Sequence, residues 1–152
     1  MNQMPMPSLL EKIKQLSAEI TPETLVYRHH IHANPELSYQ EFQTQAYVLE
    51  QLERMGIQAK KIANTGLIAE IKGKNPDSRV VALRADMDAL PIQETNEVPY
   101  KSQNPGVMHA CGHDVHTASL LGTAHILQKV RDEFEGTIKL LFQPAEEKAP
   151  GG

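Results

Sequence analysis

Two short apolar runs that bracket an amphipathic stretch constrain this chain more than any other feature. Residues 79–85 (Arg-Val-Val-Ala-Leu-Arg-Ala) and 137–143 (Thr-Ile-Lys-Leu-Leu-Phe-Gln) have the length and aliphatic content of strands covered on both faces. Between them, Leu120, Ala124, Leu127 and Val130 recur on one face of a helix that begins near Asp114. Strand, crossover helix and strand make a parallel βαβ unit, so the chain is expected to be α/β. The preceding segments supply a covering layer. Leu9, Ile13, Leu16 and Ile20 predict a first helix, and Thr21-Pro22 reads as a cap and first-turn proline opening a second, through about His32. Asn34-Pro35 ends it. Phe42, Ala46, Leu49, Leu52 and Met55 predict the buried stripe of a third helix, with Gly56 as its C-terminal cap. Residues 65–72 predict a further strand, paired with 57–62 and followed by a turn cluster at 73–78.

Composition narrows the function classes. A length of 152 residues suits one domain. The net charge of −4 leaves no basic stripe to neutralise a phosphate backbone, so nucleic acid is not an expected partner. Cys111 is the only cysteine, which excludes an intramolecular disulfide framework. Residues 1–7 show no charged leader with an apolar run, and no apolar stretch is long enough for a membrane span. The expectation is a cytoplasmic protein with no membrane partner.

The chemistry-bearing residues fall where a parallel sheet presents ligands, outside the carboxyl ends of its strands. Asp86 and Asp88 follow the first apolar run, and Glu146 and Glu147 follow the second. His109, Cys111, His113, Asp114 and His116 crowd the loop that opens the intervening helix. Cys111-Gly112-His113 sets a thiol and an imidazole two residues apart, and glycine permits the turn that aims both at one ion. Read in isolation, such a pair is more often a free thiol beside a helix cap. The crowding of coordinating residues weighs against that reading. Side chains of adjacent glutamates diverge, so one can ligate a metal while the other handles a proton of the attacking water. Asp88 can ligate or orient a histidine, whereas Asp86 fits an Asx-turn equally well. His29, His30 and His125 read as packed or surface residues.

Four ordered motifs then become recognisable. They are His32-Ala33-Asn34-Pro35-Glu36-Leu37-Ser38, Leu83-Arg84-Ala85-Asp86-Met87-Asp88-Ala89-Leu90-Pro91, His109-Ala110-Cys111-Gly112-His113-Asp114 and Phe142-Gln143-Pro144-Ala145-Glu146-Glu147. Together they resemble the N-terminal part of the zinc-peptidase-like amidohydrolases. That group contains hippurate hydrolase, aminoacylases and the plant indole-acetyl-amino-acid hydrolases. The resemblance implies a zinc-exopeptidase-like three-layer fold with a mixed, partly parallel sheet, residues 1–152 being part of the catalytic domain. It implies hydrolysis of the amide bond of N-acyl amino acids at a divalent, two-metal centre, with zinc or manganese expected. By position, Cys111, His113 and Glu147 would be metal ligands, Glu146 the general base and Asp88 the catalytic aspartate beside the metal. Asp86 is not carried over as a ligand.

The family's smaller lid and dimerisation domain and two further histidine ligands have no counterpart here, since His109, His116 and His125 do not match their motifs. The expectation is therefore a truncated, poorly active portion of an enzyme, with a homo-oligomer left open for the full-length protein. The rival expectations are a metallopeptidase or deacetylase of the same family, and a non-catalytic metal-binding or interaction module.

Overall fold

The computed structural model describes residues 7–152. Residues 1–6, which hold most of the stretch read as lacking a leader, lie outside the described residues. The order is α1 (Leu9–Ala33), α2 (Phe42–Arg54), β1 (Ala59–Ile62), β2 (Gly66–Lys72), β3 (Val80–Asp86), α3 (His113–Lys129) and β4 (Thr137–Gln143). The strands form one sheet in the order β1-β2-β4-β3. β3 and β4 run parallel, joined through α3 as the βαβ pattern predicts, while β1–β2 and β2–β4 are antiparallel. The sheet is thus mixed, and the carboxyl ends of β3 and β4 lie side by side, with Asp86 opposite Gln143.

One helix replaces the two expected before Asn34. α1 runs through Pro22, and its true start is a capping box in which Ser8 and Glu11 satisfy each other's backbone N–H groups. Pro22 lacks the N–H that would bond to Ala18, but both residues face solvent, where water takes the freed carbonyl. The Thr21 hydroxyl donates back to the Ser17 carbonyl (2.7 Å) and does not cap a new helix. Ile20, Tyr27 and Ile31 are buried on both sides of the proline, so packing against α3 holds the two halves in line.

The buried face of α2 is also rotated from the expected stripe. Phe42 is 51% exposed, and the residues turned inward are Thr44, Gln45, Val48, Gln51 and Leu52. Val48 and Leu52 join Leu67, Ala69, Ile71, Leu121, Leu140 and Phe142 in a core between the helices and one face of the sheet. The Thr44 hydroxyl donates to the Glu36 carboxylate (2.9 Å). Gln45 donates to the carbonyls of Asn64 (3.1 Å) and Gly66 (2.9 Å), anchoring α2 on the β1–β2 turn. The helix ends as expected, at Gly56 with φ +73°, and Ile57 N–H reaches back to the Leu52 carbonyl (2.9 Å).

β3 departs from the expectation of a strand covered on both faces. It is the edge strand, hydrogen-bonded to β4 alone, and Val80 and Val81 remain 58% and 48% exposed. An apolar run marks a strand without revealing whether a neighbour lies beyond it.

Candidate functional site

The sheet's carboxyl rim gathers the three clusters. α3 begins at His113 because Gly112 adopts φ +101°, a left-handed conformation open to glycine at little cost. A Cβ there would meet nothing within 4 Å, so backbone conformation and not space is what selects glycine. The turn buries His113 (2% exposed) and leaves Cys111 exposed beside it. His113 Nδ1 lies 2.8 Å from the Asp88 carbonyl oxygen. A carbonyl only accepts, so Nδ1 donates to it and Nε2 is the ring nitrogen left to meet an ion. Nε2 faces Asp86 Oδ1 at 3.6 Å, Glu147 Oε1 at 3.7 Å and Glu146 Oε2 at 3.8 Å.

This arrangement fits a cation. Carboxylate oxygens gathered round one ring nitrogen repel one another until a positive charge sits among them. Ligand atoms of Cys111, His113 and Glu147 all lie within 4.8 Å of one another, and they are the thiol, imidazole and carboxylate that zinc-type ions take. The Glu147 carboxylate bonded to the Cys111 thiol, with Asp86 and Glu146 near, raises the thiol pKa, a bias that a bound cation reverses. The Glu146 side chain is 41% exposed and the Glu147 side chain 24%, so Glu146 is the more open to an incoming molecule.

The carboxylate of Asp88, expected as a catalytic aspartate, accepts three hydrogen bonds. Its Oδ1 accepts the Glu146 N–H (3.0 Å), and its Oδ2 accepts the Glu147 N–H (2.9 Å) and the Ser38 hydroxyl (2.6 Å). Burial pushes its carboxyl pKa up, but these donors bring it below the ordinary aspartate value. Asp86 is held by His116 Nδ1 (2.6 Å) and Arg84 (3.2 Å), so it makes a side-chain pair and not an Asx-turn. It also forms a second close group with His113 and His116. Of the other sequence-picked histidines, His29 and His30 stack on Tyr100 and Tyr47. His125 Nδ1 sits 4.0 Å from Glu23. His109 is buried with neither ring nitrogen bonded among the described residues, and burial lowers its pKa to about 4.

Sequence reasoning passed over His32. It is 5% exposed, with Nδ1 2.9 Å from Asp114 and Nε2 3.0 Å from Glu94. Glu94 is itself buried. Burial raises its carboxyl, but the Ser102 N–H, His32 and Asn96 together bring it below the ordinary value of 4.5. A carboxyl held low in the fold stabilises fully above its unfolded value, and that stability is lost as pH falls toward the folded one. Glu94→Gln should therefore flatten the acid limb of the stability profile below about pH 4.5, read by denaturant midpoints across pH. An unchanged limb would show that Glu94 does not set it.

The sequence of this rim matches the model of peptidase family M20/M25/M40 over residues 82–152, which include most of β3, all of α3 and β4, and the three polar clusters. That stretch of the chain belongs to this family. The chain is 52% identical over 143 residues to an N-acyl-L-amino acid amidohydrolase of Geobacillus stearothermophilus, covering 93% of this chain and 38% of that protein. It is 49% identical over 141 residues to thermostable carboxypeptidase 2 of Saccharolobus solfataricus, covering 91% and 36%. Among solved structures it resembles the Bacillus subtilis YXEP protein, described as a dinuclear metal-binding peptidase of the M20 family. The TM-score is 0.80 and the identity 45%, covering 91% of this chain and 38% of that one. The chain thus spans under two fifths of the length of these M20 relatives.

Proposed function

We propose that this chain supplies the water-activating side of a metal-dependent amidohydrolase site that cleaves the amide bond of N-acyl amino acids. The observation that carries the reading is the division between two adjacent glutamates. Glu147 groups with both Cys111 and His113, while Glu146, whose Oε2 lies 3.8 Å from His113 Nε2, is outside that group and more exposed. The 52% identity to an N-acyl-L-amino acid amidohydrolase supports the substrate class. Cys111, His113 and Glu147 hold a divalent ion, zinc or manganese, which when bound lowers the pKa of water and polarises the acyl carbonyl.

The chain's own residues do the rest. Glu146 takes the proton from the attacking water and later delivers it to the leaving nitrogen. His113 is kept in one tautomer by the Asp88 carbonyl, and Asp88 is a positioning residue that fixes the backbone of both glutamates. On this reading residues 1–152 are part of a catalytic domain.

A chimera tests it, with this chain replacing the corresponding segment of the Geobacillus enzyme, assayed by amine release from N-acetyl amino acids and from dipeptides. The metal-loaded chimera should hydrolyse N-acetyl amino acids in preference to dipeptides. Glu146→Gln should lower its kcat about 1000-fold with KM nearly unchanged, within the usual range for a general acid–base group. A folded, metal-loaded chimera without hydrolysis, or a Glu146→Gln variant keeping a tenth of the activity, would overturn the proposal.

A further inference from the structure

Glu41 has no exposed surface, and among the described residues it has no cationic partner. Its carboxylate accepts two bonds only. Oε2 takes the Thr65 hydroxyl (2.6 Å), and Oε1 takes the backbone N–H of Ala145 (2.7 Å), a residue 104 positions away. Ala145 immediately precedes the two glutamates and sits at φ +50°, a left-handed conformation that a residue with a Cβ adopts at a cost. Three successive N–H groups at the end of β4 are therefore held by carboxylates, Ala145 by Glu41 and then Glu146 and Glu147 by Asp88.

We propose that Glu41 is a positioning residue for this turn: its buried carboxylate pins Ala145 and so, with Asp88, fixes where Glu146 and Glu147 point. The inference rests on the metal-site reading above and extends it to a residue outside the rim. Neighbours of Glu41 brace the same turn. The Ser38 hydroxyl donates to Asp88, and the Tyr39 hydroxyl lies 3.3 Å from the Lys148 carbonyl and 3.2 Å from that of Gly151. A purely structural task, fastening α2 to the sheet, already falls to Gln45 through its two bonds to the β1–β2 turn. The chemistry also specifies what a substitute must do. Both partners of Glu41 donate, so a carboxylate matches them directly. A glutamine keeps the Ala145 bond through its Oε1 and gives an N–H to Thr65, whose hydroxyl can accept. Leucine satisfies neither.

The test uses the 152-residue chain with Glu41→Leu, Glu41→Gln and, as the structural control, Gln45→Met. One readout is amide hydrogen exchange at residues 145–147 without metal. The other is a cobalt(II) titration followed by the thiolate-to-cobalt charge-transfer band of Cys111. Glu41→Leu should exchange at least tenfold faster at 145–147 and bind cobalt at least tenfold more weakly, whereas Glu41→Gln should stay within threefold of wild type on both. Gln45→Met should lower the unfolding midpoint while leaving both readouts within threefold. Wild-type protection and affinity in Glu41→Leu would overturn the assignment, as would Gln45→Met moving both readouts as far. If Glu41→Leu does not fold, Glu41→Asp decides in its place, since its carboxylate is one methylene short of Ala145. Faster exchange then supports the role, and unchanged exchange overturns it. A wild-type chain that takes up no cobalt on Cys111 overturns the metal reading instead, and the exchange arm still decides Glu41.

Discussion

Replacing Asp88 by alanine is expected to cost about 3 kcal/mol of folding stability and to abolish metal uptake by the chain. The two losses share one origin. The carboxylate is the acceptor for the Ser38 hydroxyl and for the N–H groups of Glu146 and Glu147, and alanine leaves all three without it. A buried donor without an acceptor costs about 1–3 kcal/mol, and water reaching the exposed side of the glutamates recovers part of the sum. Ser38→Ala, which removes one donor and keeps the acceptor, should cost only about 1 kcal/mol and leave metal uptake in place. Urea unfolding with a cobalt titration on the same samples separates the cases. An Asp88→Ala chain with wild-type affinity would show that the glutamates hold their places without it.

His32→Ala is expected to be at least as damaging to stability, by about 4 kcal/mol, through charge and not through a lost turn. The ring stands between two buried carboxylates, and each contact needs an N–H, because a carboxylate offers none. Removing the ring leaves Glu94 and Asp114 facing the space it filled, with Arg28 touching only Asp114 (3.2 Å). An uncompensated buried charge is the expensive part. Adding Glu94→Gln to His32→Ala should therefore restore a measurable fraction of the loss, although Glu94→Gln alone is destabilising at neutral pH. A double variant whose loss is the plain sum of the two singles would contradict this account.

The βαβ unit and the convergence of its polar ends were legible in the sequence because they depend on local periodicity and on one general rule about parallel sheets. That placement predicts that the Cys111–His113 loop meets the glutamates, the family resemblance singles out Glu147, and the structure sets Cys111, His113 and Glu147 close together. Other features had no local signal. Pro22 is a strong punctuator, yet burial of Ile20 and Tyr27 on either side of it carries α1 through. The apolar stripe of α2 misled because much of its buried face is polar, with Gln45 satisfied by the carbonyls of Asn64 and Gly66 and Thr44 by the Glu36 carboxylate. His32 and Ser38 lie inside a motif that carried family resemblance but no visible chemistry. Their partners, Asp114 and Asp88, come from segments 82 and 50 positions on. His116 was set aside as matching no ligand motif, and its tie to Asp86 depends on how α3 leaves the rim.

The bonds that define the glutamate turn also set an order of assembly. They join residue 38 to 88, 88 to 147 and 41 to 145, with separations of 50, 59 and 104 positions. Closures this long are slow relative to helix and hairpin formation, and the two that reach the glutamate turn cannot be completed before residue 145 has been synthesised. A nascent chain thus carries Cys111 and His113 for a stretch of its synthesis before the carboxylate that completes their grouping arrives. In that interval the Cys111, His113 and Glu147 group lacks its glutamate, so on the proposed reading the ion would be captured only after the turn closes.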